Sequence, residues 1–119
     1  MFKRIVRPDG SVIILLPKKE TKAVTLEVLY KVGSRCENKS NNGISHFVEH
    51  LMFKGTSRRP NTADISRELD AIGAEYNAFT GKEYTGYYVT AASRHLSLIA
   101  DILSDMLYHS KFDKEEVGR

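Results

Sequence analysis

A mixed α/β domain with antiparallel strand pairs is what the order of periodicities in this sequence predicts. Two turn dipeptides, Asp9-Gly10 and Gly81-Lys82, each stand between β-prone runs and announce a hairpin. Between them the apolar spacing changes from every second residue to the three-and-four spacing of a helix, and then changes back. The 119 residues suit one domain with a modest core.

The first hairpin joins Ile5-Val6 to Ser11 through Leu16 across Pro8-Asp9-Gly10, and Pro17-Lys18-Lys19-Glu20 makes a polar connection after it. Ala23 to Val32 reads as a half-buried strand, with Val24, Leu26, Val28, Tyr30 and Val32 on one face. A loop rich in Asn, Ser and Gly runs from Gly33 to Gly43. Ile44, Phe47, Val48, Leu51 and Met52 then fall on a helix stripe, which Asn41 or Asn42 can cap and Gly55 can end. After Pro60-Asn61-Thr62 a second helix is expected from Ala63 to Ile72, closed by Gly73. Glu75 to Thr80 and Glu83 to Ala91 flank the Gly81-Lys82 turn as strands. Ser93 caps a third helix whose stripe is Leu96, Ile99, Ile102, Leu103, Met106 and Leu107. Asp113 and Glu116 have capping-box spacing, and Glu115 also suits the positive end of a helix dipole. A helix needs several turns to be stable, so this chain is expected to be part of a longer one.

Composition narrows the function classes. Eighteen basic residues oppose fifteen acidic ones, for a net charge of +3, and the basic residues are scattered, with no more than two adjacent, as at Lys18-Lys19 and Arg58-Arg59. Such isolated pairs are expected to be solvated surface and not a nucleic-acid footprint. A single cysteine, Cys36, excludes an internal disulfide and a multi-cysteine metal knot. The longest apolar run, Val12 to Leu16, is too short to span a membrane. Met1-Phe2-Lys3-Arg4 could open a transit peptide, but the Asp9-Gly10 turn interrupts it, and the chain is expected to be cytoplasmic.

The chemistry lies in His46-Phe47-Val48-Glu49-His50. At roughly 100° per residue, Glu49 falls about 60° to one side of His46 and His50 about 40° to the other. The three polar groups therefore share one arc, with Ile44, Phe47, Val48 and Leu51 opposite. A lone histidine is more often structural than a ligand, but two on one turn outside the apolar stripe can reach the same ion. With four His and nine Glu in the chain, a chance His-x-x-Glu-His is expected roughly 0.01 times. Neutral imidazoles suit zinc, whose catalytic sites take three protein ligands and a water. Glu49 projects beside His50, placed to take a proton from that water and pass it to a leaving nitrogen. These roles describe an amide hydrolase.

Beyond the motif, the chain resembles the N-terminal catalytic domain of the pitrilysin-type inverzincins, which include insulin-degrading enzymes and mitochondrial processing peptidases. The resemblance covers nearly the whole chain: Gly33-Ser34-Arg35 and Gly43, then His46 through Thr56, Asn77-Ala78-Phe79-Thr80, and Thr85-Gly86-Tyr87-Tyr88. It implies an α/β sandwich of the metallohydrolase type, a mostly antiparallel sheet with helices on one face, here truncated. It also implies a zinc metalloendopeptidase with His46 and His50 as ligands and Glu49 as general base. Asn77 and Ala78 match a strand whose backbone adds an unfolded peptide substrate as a further strand. A homologous second domain or subunit is the implied partner, and a homodimer through an exposed sheet edge is a further expectation. The family's third ligand is a glutamate farther along than the 69 residues that follow His50, so this chain is expected to lack it and to be inactive alone. Phe53 falls on the site side of the helix, either lining a substrate pocket or packing beneath a loop.

Two alternatives stand beside the peptidase. One is a non-catalytic scaffold or peptide-binding relative, although such members usually lose one of the three motif residues. The other is an S-ribosylhomocysteine lyase, which needs a cysteine ligand downstream of the motif, whereas Cys36 lies upstream.

Overall fold

The computed structural model describes residues 1–112, so the capping box expected at residues 113–116 lies outside the described residues. In chain order the elements are β1 (Lys3–Val6), β2 (Val12–Leu15), β3 (Ala23–Tyr30), α1 (Ile44–Met52), α2 (Thr62–Ala71), β4 (Glu75–Thr80), β5 (Thr85–Ala92) and α3 (Leu96–Tyr108). Short 3-10 turns, Ser34–Cys36 and Ser93–His95, precede α1 and α3. Every helix and strand expected within residues 1–112 is present.

Strands β1 and β2 pair antiparallel as a two-stranded sheet of their own. Their turn is tied by Asp9, whose side chain accepts from the Ser11 backbone N–H at 2.9 Å and from its hydroxyl at 2.6 Å. The second sheet has the order β3-β5-β4, antiparallel throughout. Strand β5 takes the centre because its inward residues Thr85, Tyr87, Val89 and Ala91 are all buried. Register places Val24, Leu26 and Val28 of β3 and Tyr76 and Ala78 of β4 on that same face. They pack on a core of Ile65 and Leu69 from α2 and Ile99, Ile102, Leu103 and Met106 from α3. The opposite face carries Thr25, Glu27, Leu29, Glu75, Asn77 and Phe79, all exposed. The helices therefore lie on one face of an antiparallel sheet, as expected. Among the described residues no helix is long and apolar enough to cross a membrane.

Three local expectations are corrected. The β4–β5 turn holds four residues, 81–84, because Gly81 N–H bonds to the Tyr84 carbonyl at 2.8 Å and closes a wider loop than Gly81-Lys82 alone would. Ser93 does not cap α3; it opens a 3-10 turn that moves the N-cap position to His95, where no side chain caps the helix, and its N–H bonds to the Lys22 carbonyl at 2.7 Å. Helix α2 starts one residue early and ends one residue early, at Thr62 and Ala71, under a full capping box in which Asn61 and Asp64 bond to each other's backbone N–H.

The larger correction concerns Arg58-Arg59. Arg58 is exposed and bonds to Asp101 through two 2.9 Å contacts. Arg59 is 5% exposed. Its guanidinium donates to Asp105 at 2.7 Å, to Asp101 at 3.0 Å and to Glu68. Asp105, on the buried face of α3, also accepts the Thr56 hydroxyl at 2.7 Å. Adjacent arginines look alike in sequence, but the loop after α1 turns one outward and the other beneath α3.

This node makes the fold acid-sensitive. Hydrogen bonds from Arg58 and then Arg59 hold the Asp101 carboxyl at about 2, below its ordinary value of 3.8. Burial alone would raise Asp105, yet the bonds from Thr56 and Arg59 outweigh it and leave it lowered as well. A carboxylate depressed in the folded state stabilises it fully above the unfolded value and ceases to do so as pH falls through the folded one. Melting temperature is therefore expected to fall between about pH 4 and about pH 2. Asp101→Asn should flatten that fall, and an unchanged slope would refute the assignment.

Candidate metal and peptide site

Helix α1 carries the motif, and its two faces differ as the spacing predicts. Leu51 is buried and Val48 half-buried, while His46 and His50 are exposed. The outer end of the stripe is an exception: Ile44 stays 46% exposed. Glu49 lies between these faces with a side chain 15% exposed, and His46 Nδ1 stands 3.7 Å from Glu49 Oε2. That contact joins residues i and i+3, the neighbours a helix turn brings together.

What orients Glu49 comes from far along the chain. The Thr80 hydroxyl, at the end of β4, donates to Glu49 Oε2 at 2.5 Å. Tyr87 on the central strand lies near enough that its phenol is pushed up to about 12, by burial first and by the Glu49 charge second. Phe53, just after α1, packs on the Tyr87 ring with centroids 6.3 Å apart, against the central strand and not beneath a loop. Helix α1 thus lies against β4, with the carboxylate pinned over the strand's end and the two imidazoles beyond it.

Strand β4 is an edge of its sheet, paired on one side with β5. Asn77 points to the exposed face and Ala78 to the helix side. The Ala78 N–H is taken by the Asn77 side-chain oxygen at 2.8 Å and not by a neighbouring strand. An edge amide held only by its neighbour's side chain can exchange that partner for a peptide carbonyl.

The ends of α1 are held by groups that the sequence reading did not single out. Neither Asn41 nor Asn42 caps the helix. Its N-cap is Gly43, at φ 86 and without a side chain. The Glu37 carboxylate takes over, accepting Gly43 N–H at 2.8 Å and Ser45 N–H at 2.7 Å. At the other end the Ser110 hydroxyl donates to the Leu51 carbonyl at 3.3 Å, and Lys111 N–H to the Gly55 carbonyl at 3.2 Å. Helix α1 stops at Met52, three residues before the expected Gly55.

The donor set suits zinc in kind: two exposed imidazoles one turn apart, with a carboxylate beside them and not among the core residues. Among the described residues, no group of three or more His, Cys, Asp or Glu stands close enough to hold a metal.

A family model described as insulinase (peptidase family M16) matches residues 12–119. This chain belongs to that family. It is 42% identical over its whole length to the uncharacterized zinc protease YmxG of Bacillus subtilis, of which it covers 29%. It is 41% identical over 97% of its length to a zinc protease of Streptomyces coelicolor, covering 25% of that protein. It is also 38% identical over 94% of its length to the mitochondrial-processing peptidase subunit beta of Saccharomyces cerevisiae, covering 24% of it. A solved protease from Helicobacter pylori superposes with a TM-score of 0.90 at 25% identity, over 98% of this chain and 28% of that one. The chain thus spans less than a third of each relative's length. The fold expected from the resemblance is the fold of these proteases, and the family is one of metalloproteases.

Proposed function

We propose that this chain is the N-terminal, motif-bearing portion of the catalytic domain of a zinc metalloendopeptidase that hydrolyses unfolded peptides. One observation carries the reading: His46 and His50 stand on the solvent side of α1, and Glu49 beside them, largely buried, is pinned by Thr80 over the end of an edge strand. A base, two metal ligands and a backbone able to pair with a peptide therefore meet in one place.

Each residue has a role. His46 and His50 would hold the zinc, with the third protein ligand outside residues 1–112. When bound, zinc supplies a Lewis acid that polarises the scissile carbonyl and acidifies the attacking water. Asn77 and Ala78 present the β4 backbone, which aligns the peptide through main-chain hydrogen bonds and so tolerates varied side chains. Glu49 takes the proton of the attacking water and returns it to the amide nitrogen as the C–N bond breaks. Thr80 keeps one Glu49 oxygen occupied, leaving the other for that proton. The zinc proteases among the relatives support the metal, and those named as subunits support a homologous partner.

Zinc titration followed by calorimetry tests the ligand assignment. The full-length protein should bind one zinc with proton release, and His46→Ala or His50→Ala should weaken binding at least about tenfold. Equal affinity in both variants and the parent chain would refute it.

A further inference from the structure

Helix α1 is nine residues long and opens on a glycine, so its own sequence offers no side chain to satisfy its first amides. Yet it carries both imidazoles and the base, whose geometry matters to fractions of an ångström. Something outside the helix has to hold its start.

We infer that Glu37 is a positioning residue for the metal-binding helix, coupling it to the turn that follows the peptide-pairing strand. This rests on the reading of α1 as the metal helix. Two of its amides end on Glu37, one on each carboxylate oxygen, at 2.8 and 2.7 Å. A carboxylate at a helix N-terminus is favoured twice, by the unpaired N–H groups and by the positive end of the dipole. Those same N–H groups, Ser45 first and Gly43 second, hold the Glu37 carboxyl below the usual carboxylate range.

Glu37 is anchored in turn. It ends the 3-10 turn Ser34–Cys36, where its own N–H bonds to the Ser34 carbonyl at 3.2 Å. That turn is sewn to the β4–β5 loop: Ser34 N–H donates to the Gly81 carbonyl at 3.1 Å and Arg35 N–H to the Lys82 carbonyl at 2.8 Å. The Arg35 guanidinium also meets Glu83 at 2.5 Å. Gly33 is needed for so close an approach, since a Cβ there would stand 2.4 Å from the Gly81 oxygen. An unbroken set of hydrogen bonds therefore runs from the end of β4, through residues 33–37, to the start of α1. Glu49 and Thr80 close the circuit on the other side. The strand that would align the peptide and the helix that would hold the metal are fixed to each other at two points, and Glu37 is the joint at one of them.

The test compares the full-length protein with its Glu37→Ala variant, which removes both acceptors, and its Glu37→Gln variant, which keeps the length and one acceptor oxygen. Backbone hydrogen exchange is read at Ser45, Phe47 and Val48 in α1 and at Tyr87 and Val89 in β5, and zinc affinity is measured by chelator competition. In Glu37→Ala, exchange in α1 should rise about tenfold with β5 unchanged, and zinc should bind about tenfold more weakly. Glu37→Gln should recover part of both effects. Unchanged α1 exchange in Glu37→Ala, or zinc affinity equal to the parent's, would overturn the inference, as would α1 and β5 loosening together. Should Glu37→Ala fail to fold, Glu37→Gln against the parent decides by the same two readouts. A full-length parent that takes up no zinc would defeat the metal reading of α1, and hydrogen exchange alone would then decide whether Glu37 holds the helix.

Discussion

Glu49→Gln is expected to lower the turnover of the whole peptidase roughly 10²- to 10⁴-fold while leaving its zinc content unchanged. The reason lies in what the substitution preserves. Glutamine keeps the shape of the side chain and an oxygen that can accept from Thr80, so α1 should stay in place over β4. It cannot take a proton from water, which is the one property the base contributes. A simple loss of structure would reduce zinc content and turnover together, whereas loss of the base separates them. Peptide hydrolysis by the full-length protein, measured beside metal analysis of the same samples, makes the comparison. Turnover within a few fold of the parent's at equal zinc content would remove Glu49 from the mechanism.

Arg59→Met should destabilise the fold by about 3–5 kcal/mol, because it strands a buried carboxylate. Asp105 is 2% exposed, and its Oδ1 already has no hydrogen-bond partner among the described residues. Without Arg59, only the Thr56 hydroxyl remains bonded to it. A loss of that size is a large part of the stability of a domain this small, for which 5–15 kcal/mol is usual. The double substitution Arg59→Met with Asp105→Leu gives the sharper comparison, since it removes both charges and puts apolar volume in their place. It should recover most of the stability lost by Arg59→Met. Urea unfolding of the two variants and the parent measures this. An Arg59→Met chain within about 1 kcal/mol of the parent would mean the ion pair contributes no more than an exposed one.

Both expectations draw on contacts that differ in how far they could be read from the chain. The alternation of Val24, Leu26 and Val28 and the stripe Ile99, Ile102, Leu103 and Met106 announced the faces that are in fact covered. The same reasoning put His46, Glu49 and His50 on a core-averse arc, and the imidazoles are indeed exposed. It failed where a local rule had a distant competitor. Asn41 and Asn42 are good caps by type, but Glu37 had already taken the amides. Ser93 is a good cap by type, but the 3-10 turn it opens puts His95 at the N-cap of α3. Arg59 was grouped with Arg58 as surface because neighbouring charges usually share solvent, and nothing near Arg59 in the chain marks Asp105 as its partner.

The sequence by itself determined the element order, the strand and helix faces, and the placement of two imidazoles and a carboxylate on one turn. All of these depend on spacings of two to four residues, which backbone geometry converts directly into direction. Only the tertiary structure decided which group holds each of them: Thr80 on Glu49 across 31 residues, Asp105 on Arg59 across 46, and Glu37 across the loop to Ser45. Those pairings arise when packed layers bring remote segments together, so they follow from how the sheet and helices stack and not from any periodicity along the chain.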